Sequence, residues 1–391
     1  MIPPMRILFL IHHLRTGGVE QFTATLLPEL HKNTAMETSI TVLDSPGELE
    51  SVMEASRITL QQLKRGVQSP LQWTRQLATR LNARDFDILQ MQGSSAAFWG
   101  CVLTATNPHV VRIVAYHAIP GWHRRRRRWL ANRLYQRFVH AYVAVCRAEK
   151  RTLTELYGIP AASIHVIPNC VDSNHYRPGA SEPSVRRQLA LAQDRPVVGV
   201  VGRCSPEKGG DIFIRAMAIL KASGIQLQGV LVGDGVSRSA REQQANELGV
   251  SDLITFAGRI DQSRMPDIIR CFDVGVVPSY QECCSVAILE QMACGIPIVA
   301  TDVGGNADLV THGVTGAIVP PSNPDALAAA IRDLLLSPGK RELFGTAARR
   351  KIESHFTINA ITKQYTDLYT SLYRERNRGD DALAKSKKGW L

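Results

Sequence analysis

No apolar run in this sequence approaches the ~20 residues a membrane-spanning helix needs. The short apolar stretch 7–11 meets His12, His13 and Arg15 at once, too early for the core of a secretory leader. These two absences predict a protein that is neither integral to a membrane nor exported. Cysteine pairing is missing as well. Apart from the adjacent Cys283 and Cys284, none of the eight cysteines sits at the close spacing of a zinc or redox site. Cys101, Cys146, Cys204, Cys271 and Cys294 fall in apolar segments, where a thiol behaves as a small hydrophobe. That usage suits a reducing cytoplasm rather than a disulfide framework.

At 391 residues the chain is long enough for two domains of ordinary size. Its 45% hydrophobic and 21% charged content is that of a globular protein. Apolar runs alternate with amphipathic segments, the pattern of a parallel sheet wrapped by helices. Strands are predicted at 6–14, 40–43, 88–92, 110–116, 141–146 and 164–167, with a helix at 19–32 after a turn at Gly17 and Gly18. Residues 177–183 are rich in turn formers and read as a linker. The pattern then restarts, with strands at 196–201, 228–232, 254–257, 274–278, 298–301 and 317–319. Each half opens on a strand, a glycine loop and a helix. That repetition argues for two doubly wound α/β domains facing each other, with ligands in the cleft at the carboxyl ends of the strands. The predicted division is 1–176, a linker at 177–195, 196–356, a helix at 357–376 packing back across both domains, and a disordered tail at 377–391.

The segment 279–295 carries the most chemistry. Ser285 suits an N-cap, 286–294 can be helical, Gly295 suits the position after the C-cap, and Pro297 forbids continuation. The first N–H groups, from Val286, Ala287 and Ile288, would offer a diphosphate site. Glu290 lies ~6 Å further along the helix, where a carboxylate can grip ribose hydroxyls, while Glu282 can reach hydroxyls of a transferred sugar. A plainer reading stays open: one acid favouring the helix dipole and one polar helix-face residue. The loop Gly202, Arg203, Cys204, Ser205, Pro206, Glu207, Lys208, Gly209 joins a strand to a helix, and its guanidinium and ammonium can neutralise a diphosphate leaving group. A solvated loop with two surface cations is the alternative.

With Glu282 and Glu290 spaced as Glu-x7-Glu, followed by Met292, Ala293, Cys294, Gly295, Ile296 and Pro297 and later Thr301, Gly304 and Gly305, the sequence resembles the retaining nucleotide-sugar glycosyltransferases of family 4, also called glycosyl transferases group 1. The likeness runs over nearly the whole chain. It implies the GT-B fold, two Rossmann-like domains across a cleft, with the first domain on the acceptor side and the second binding the nucleotide sugar. It also implies that Glu282 binds the donor sugar, Glu290 the ribose, and Arg203 and Lys208, after Gly202, the diphosphate, without a metal or other cofactor.

In that family the glycine loop of the first domain, here Gly17 and Gly18, lies near the donor phosphate and the acceptor; Glu20 follows it. His117 matches a strand-ending histidine near the reacting sugar, but the aspartate that commonly follows is replaced by Ala118, and Gln90 and Gln92 stand where histidines are frequent. Gly233, Arg259 and Ile260 match positions around the nucleobase; tight turns explain such glycines equally well. Asp85 and Asp87 formally make an Asp-x-Asp metal motif, but they precede a buried strand and are set aside.

The net charge of +11 favours an anionic partner. Its densest feature is Arg124, Arg125, Arg126, Arg127 and Arg128, a run longer than one helical turn, which therefore cannot all share a face with a core. Docking of this run on an anionic leaflet, at about 1 kcal/mol per basic residue, is the preferred reading over a solvated basic helix, and Trp122, Trp129 and Leu130 could enter the interface. No nucleic-acid module or stacking platform is visible. The expected protein is thus a cytoplasmic, peripherally membrane-associated retaining hexosyltransferase, using a UDP-sugar or, second, a GDP-sugar, with a lipid-linked glycan as acceptor in polysaccharide or envelope glycan synthesis. Two rivals remain: a nucleotide-sugar 2-epimerase of the same architecture, and a non-catalytic protein that binds anionic polymer or membrane.

Overall fold

The computed structural model describes residues 4–15, 17–44, 47–63, 69–82, 85–117 and 133–388, with side chains as far as 378. The chain divides into two compact units, Met1–Pro168 with Ile358–Leu391, and Asn169–Thr357.

The first unit holds β1 (Met5–Ile11), β2 (Met36–Val42), β3 (Thr59–Gln62), β4 (Ile88–Gln92), β5 (Val111–Tyr116), β6 (Ala141–Ala144) and β7 (Ile164–Val166), all parallel, in the order β3-β2-β1-β4-β5-β6-β7. The second holds β8 (Val197–Val201), β9 (Gln228–Val232), β10 (Ile254–Gly258), β11 (Val274–Val277), β12 (Ile298–Thr301) and β13 (Gly316–Val319), in the order β10-β9-β8-β11-β12-β13. Central strands such as Phe9 and Leu10 of β1 and Val274 and Val276 of β11 are wholly buried. This is what a parallel sheet covered on both faces by crossover helices requires. The Gly18–His31 helix, for example, buries Phe22, Leu26, Leu27 and Leu30.

In each sheet the strand order reverses once, between β1 and β4 in the first and between β8 and β11 in the second. Ligands of doubly wound sheets bind outside the carboxyl ends of the strands at such a reversal. The loop after β8 carries Arg203 and Lys208, and the loop after β11 carries Glu282.

Four features differ from the sequence reading. β3, polar and half-exposed with the sequence Thr-Leu-Gln-Gln, has no apolar run to announce it. The boundary between units lies at Pro168, not after Tyr176. Asn169 donates to the Cys284 carbonyl at 2.9 Å, and Arg349 donates to the carbonyls of Ser173, Tyr176 and Ala293, so 169–176 is fastened to the second unit. The expected linker contains a helix, Pro183–Gln188. The last helix, Ile358–Lys388, runs through the segment expected to be disordered, and it groups with the first unit alone, burying Ile361, Tyr365, Leu368 and Tyr369.

Candidate active site

In the second unit the loop after β8 lies directly against the end of β11. At Gly209, φ is +67° and a Cβ would stand 2.0 Å from the Pro278 carbonyl oxygen, so only glycine allows this approach. The Glu207 carbonyl accepts from the Tyr280 amide at 2.8 Å, tying the two loops together. Across this seam the Lys208 ammonium meets Glu282 Oε1 at 2.7 Å, and Ser279 Oγ donates to the same oxygen at 2.8 Å. Ser279 is held in turn through its carbonyl, which accepts from Thr301 Oγ1 at 2.6 Å. The Glu282 side chain is 8% exposed and that of Lys208 28%. Behind Glu282, Gly304 has φ +55°, and a Cβ there would fall 1.9 Å from the Glu282 carbonyl oxygen.

Lys208, Ser279 and Glu282 line a recess with Gly202, Arg203, Gly233 and Ser205. Arg203 is largely exposed, 3.5 Å from Glu207. Burial pushes the Glu207 carboxyl up, but the Ser205 hydroxyl, a backbone hydrogen bond, Arg203 and Lys208 together hold it below its usual value. The recess therefore offers an ammonium and a guanidinium beside carboxylates fixed in place, suited to a group that carries both negative charge and hydroxyls.

The Val286–Ala293 helix begins after Ser285, as the capping pattern predicts, but the Ser285 hydroxyl makes no capping hydrogen bond to it. Val286 and Ala287 form its first turn. Within this helix Glu290 is buried. Its Oε1 accepts from Tyr176 Oη at 2.9 Å and from Gln262 Nε2 at 3.0 Å. Burial pushes its carboxyl up to about 7, against the pull of those two hydrogen bonds and of His175.

In the first unit Gly17 is the N-cap of the Gly18–His31 helix, and a Cβ on it would meet the Glu20 carboxylate at 2.4 Å. Glu20 Oε1 lies 3.3 Å from His13 Nδ1. His117, just beyond β5, sets its ring 5.1 Å from that of Phe22, and its Nε2 is 3.0 Å from Gln92 Oε1. Gln90 and Gln92 are both buried, and Gln90 Oε1 accepts from Tyr369 at 3.3 Å. Asp87 is engaged by Arg6, at 3.0 Å between side chains, a structural ion pair.

The structure thus brings together Lys208, Glu282, Arg203, Gly202 and Gly233. Arg259, exposed, and Ile260 are not among the residues lining the recess. Arg124, Arg125, Arg126, Arg127 and Arg128, with Trp122, Trp129, Leu130 and Ala118, lie outside the described residues. Arg137 is described, with its guanidinium 5.0 Å from the centre of the Phe138 ring. Sequence reasoning missed Asp211, Arg238 and Arg241, which line the recess together with Phe256. Arg241 lies 3.6 Å from Asp211, whose other oxygen accepts from Tyr280 at 2.6 Å. It also missed Tyr176 and Gln262. The helical positions of Arg238 and Arg241 look like any solvated face, and nothing local marks the others. Among the described residues no helix is long and apolar enough to cross a membrane.

Residues 181–351 match the family described as Glycosyl transferases group 1, and residues 16–175 match Glycosyltransferase Family 4. The chain is 33% identical over 245 residues to a D-inositol 3-phosphate glycosyltransferase of Thermobispora bispora, a match covering 60% of this chain and 57% of that protein. It spans little more than half the length of such curated relatives. Anabaena HepE in complex with UDP aligns with a TM-score of 0.83 at 24% identity, over 94% of this chain and 100% of HepE. HepE in complex with UDP-glucose aligns with a TM-score of 0.80 at 25% identity, over the same shares. The shared fold is GT-B, with two parallel-sheet, Rossmann-like units.

Proposed function

The chain belongs to the glycosyl transferases group 1 and glycosyltransferase family 4 proteins, and from that premise we propose that it transfers a hexosyl group from a nucleotide diphosphate sugar to an acceptor hydroxyl with retention of configuration. The observation that carries this reading is the Lys208–Glu282 pair, with Ser279, at the strand-order reversal of the second unit. Lys208 and Arg203 meet the diphosphate. Glu282 accepts from hydroxyls of the sugar, and Glu290 from hydroxyls of the ribose. The bond from the anomeric carbon to the diphosphate breaks while the acceptor oxygen bonds that carbon on the same face. The acceptor's proton passes to the departing phosphate oxygen, so no protein base is needed. Negative charge grows on the leaving diphosphate, where the two cations stabilise it more than in the ground state.

UDP is the first choice of nucleotide, supported by the UDP and UDP-glucose complexes of HepE, with GDP second. A lipid-linked glycan at an anionic membrane surface is the proposed acceptor, supported by the net charge of +11. A second acceptor class, a phosphorylated cyclitol, is favoured by the name of the relatives at 33% identity and above. The deciding experiment offers radiolabelled UDP-hexoses and GDP-hexoses with either acceptor class to the purified protein. Transfer with retained anomeric configuration supports the reading. Interconversion of the free sugar nucleotide without an acceptor would move a 2-epimerase ahead, and neither turnover nor donor hydrolysis would leave a binding protein.

A further inference from the structure

Tyr176 closes a small polar ring around Glu290. Its hydroxyl donates to Glu290 Oε1 at 2.9 Å, and Gln262 Nε2 donates both to the Tyr176 oxygen, at 2.7 Å, and to Glu290 Oε1, at 3.0 Å. The tyrosine is itself fixed at both ends of its backbone. Its amide donates to the Asp172 carbonyl at 2.8 Å, and its carbonyl accepts from Arg349 at 2.8 Å. Its ring is buried, with His175 edge-on at 4.9 Å. Both donors reach the same carboxylate oxygen, and among the described residues no donor reaches Oε2.

We propose that Tyr176 is a positioning residue of the donor site: with Gln262 it holds Glu290 by Oε1 and so presents Oε2 to the hydroxyls of the donor's ribose. The inference rests on the reading of Glu290 as the ribose contact. A carboxylate can accept from two neighbouring hydroxyls at once, whereas a protonated carboxyl surrenders one of its acceptor positions. Burial works against the ionised form and pushes Glu290 up to about 7. The two donors on Oε1 work in the other direction, so loss of one raises the carboxyl further. Among the described residues the groups acting on it are His175 and Tyr176, from the 169–176 segment, and Cys294, just after its own helix; Arg349 from the Pro338–His355 helix and Arg270 from the turn after Met265–Ile269 act on Cys294 in turn. Burial raises the Tyr176 phenol and pushes the Cys294 thiol up to about 12, so both are neutral across the range in which Glu290 titrates. His175 favours the ionised carboxylate.

The test is UDP binding by calorimetry to the full chain between pH 5.5 and 9, repeated with GDP, for the wild type, Tyr176→Phe and Glu290→Gln. The wild type is expected to tighten as pH rises through about 7. Tyr176→Phe should show the same rise displaced upward by about one unit, which is a loss of about fivefold at pH 7 that approaches tenfold at lower pH and shrinks toward pH 9. Glu290→Gln should show no such rise. Melting temperatures without nucleotide accompany each variant. If Tyr176→Phe lowers them and weakens binding equally at every pH, the tyrosine is structural and the proposal is overturned. An unmoved rise in Tyr176→Phe overturns it alone, because the wild type still binds. Failure of the wild type to bind either nucleotide overturns the donor reading and this proposal together.

Discussion

Lys208 Nζ and Glu282 Oε1 stand 2.7 Å apart although 74 residues separate them in the chain. Each neutralises the other. On the proposed reading, a diphosphate arriving at Lys208 would share its ammonium and leave Glu282 more of its accepting capacity for hydroxyls, so a pair that is a structural clasp would also be the part that responds to donor.

Replacing Lys208 by Ala removes the cation and leaves a nearly buried carboxylate unpaired. Loss of a preorganised charge of this kind costs about 100-fold or more in kcat, and the unpaired Glu282 destabilises by roughly 1–3 kcal/mol. The double variant Lys208→Met with Glu282→Gln should recover most of the melting temperature and none of the transfer rate. Recovery of rate in the double variant would show that the pair only holds the loops.

Glu290→Gln should stabilise the unliganded protein above neutrality. The carboxyl's folded value, about 7, lies above its unfolded value. Its contribution to stability is thus fully present below the unfolded value, near pH 4.5, and is lost as pH rises through about 7. The variant lacks that loss. Its melting temperature should equal or fall below the wild type at pH 5 and exceed it at pH 8.5, by an amount corresponding to about 1–3 kcal/mol. Parallel curves across this range would mean that Glu290 stays ionised when buried.

Gly304→Ala should uncouple activity from fold. A methyl group there is forced onto the Glu282 carbonyl, so the loop bearing Glu282 must move. The strain costs about 1–3 kcal/mol, and kcat/KM should fall by more than tenfold. Gly313, also at positive φ (+74°) but with nothing within 4 Å of a Cβ, provides the comparison. Its alanine variant should lose a similar backbone contribution and keep its rate.

Chelation by EDTA should leave kcat/KM within about twofold, because Lys208 and Arg203 are assigned the charge of the leaving group. A large loss restored by magnesium would transfer that role to a metal.

The two sheets, β3 apart, are legible in the sequence because their strands are short buried runs. β4, β9 and β12 fall where the apolar pattern puts them, at Ile88–Gln92, Gln228–Val232 and Ile298–Thr301. The convergence of Lys208 and Glu282 is legible too, since both follow strands that flank one reversal of the sheet. Tyr176 and Gln262 are not. They reach Glu290 from 114 and 28 residues away, through side-chain geometry that no local pattern encodes. Ser285 shows the finer limit. Its residue type fixes where the helix starts, but not where its hydroxyl points.

The second unit is inserted into the first, between Pro168 and Ile358. Tyr365 and Tyr369, buried to completion in the first unit, belong to the last helix. On the ribosome the sheet of the first unit therefore lacks part of its core until the segment beginning at Ile358 has been made, whereas the second unit can finish folding before it. Order of synthesis and order of maturation run in opposite directions, and a chain released before residue 358 would carry an intact second unit and an unfinished first one.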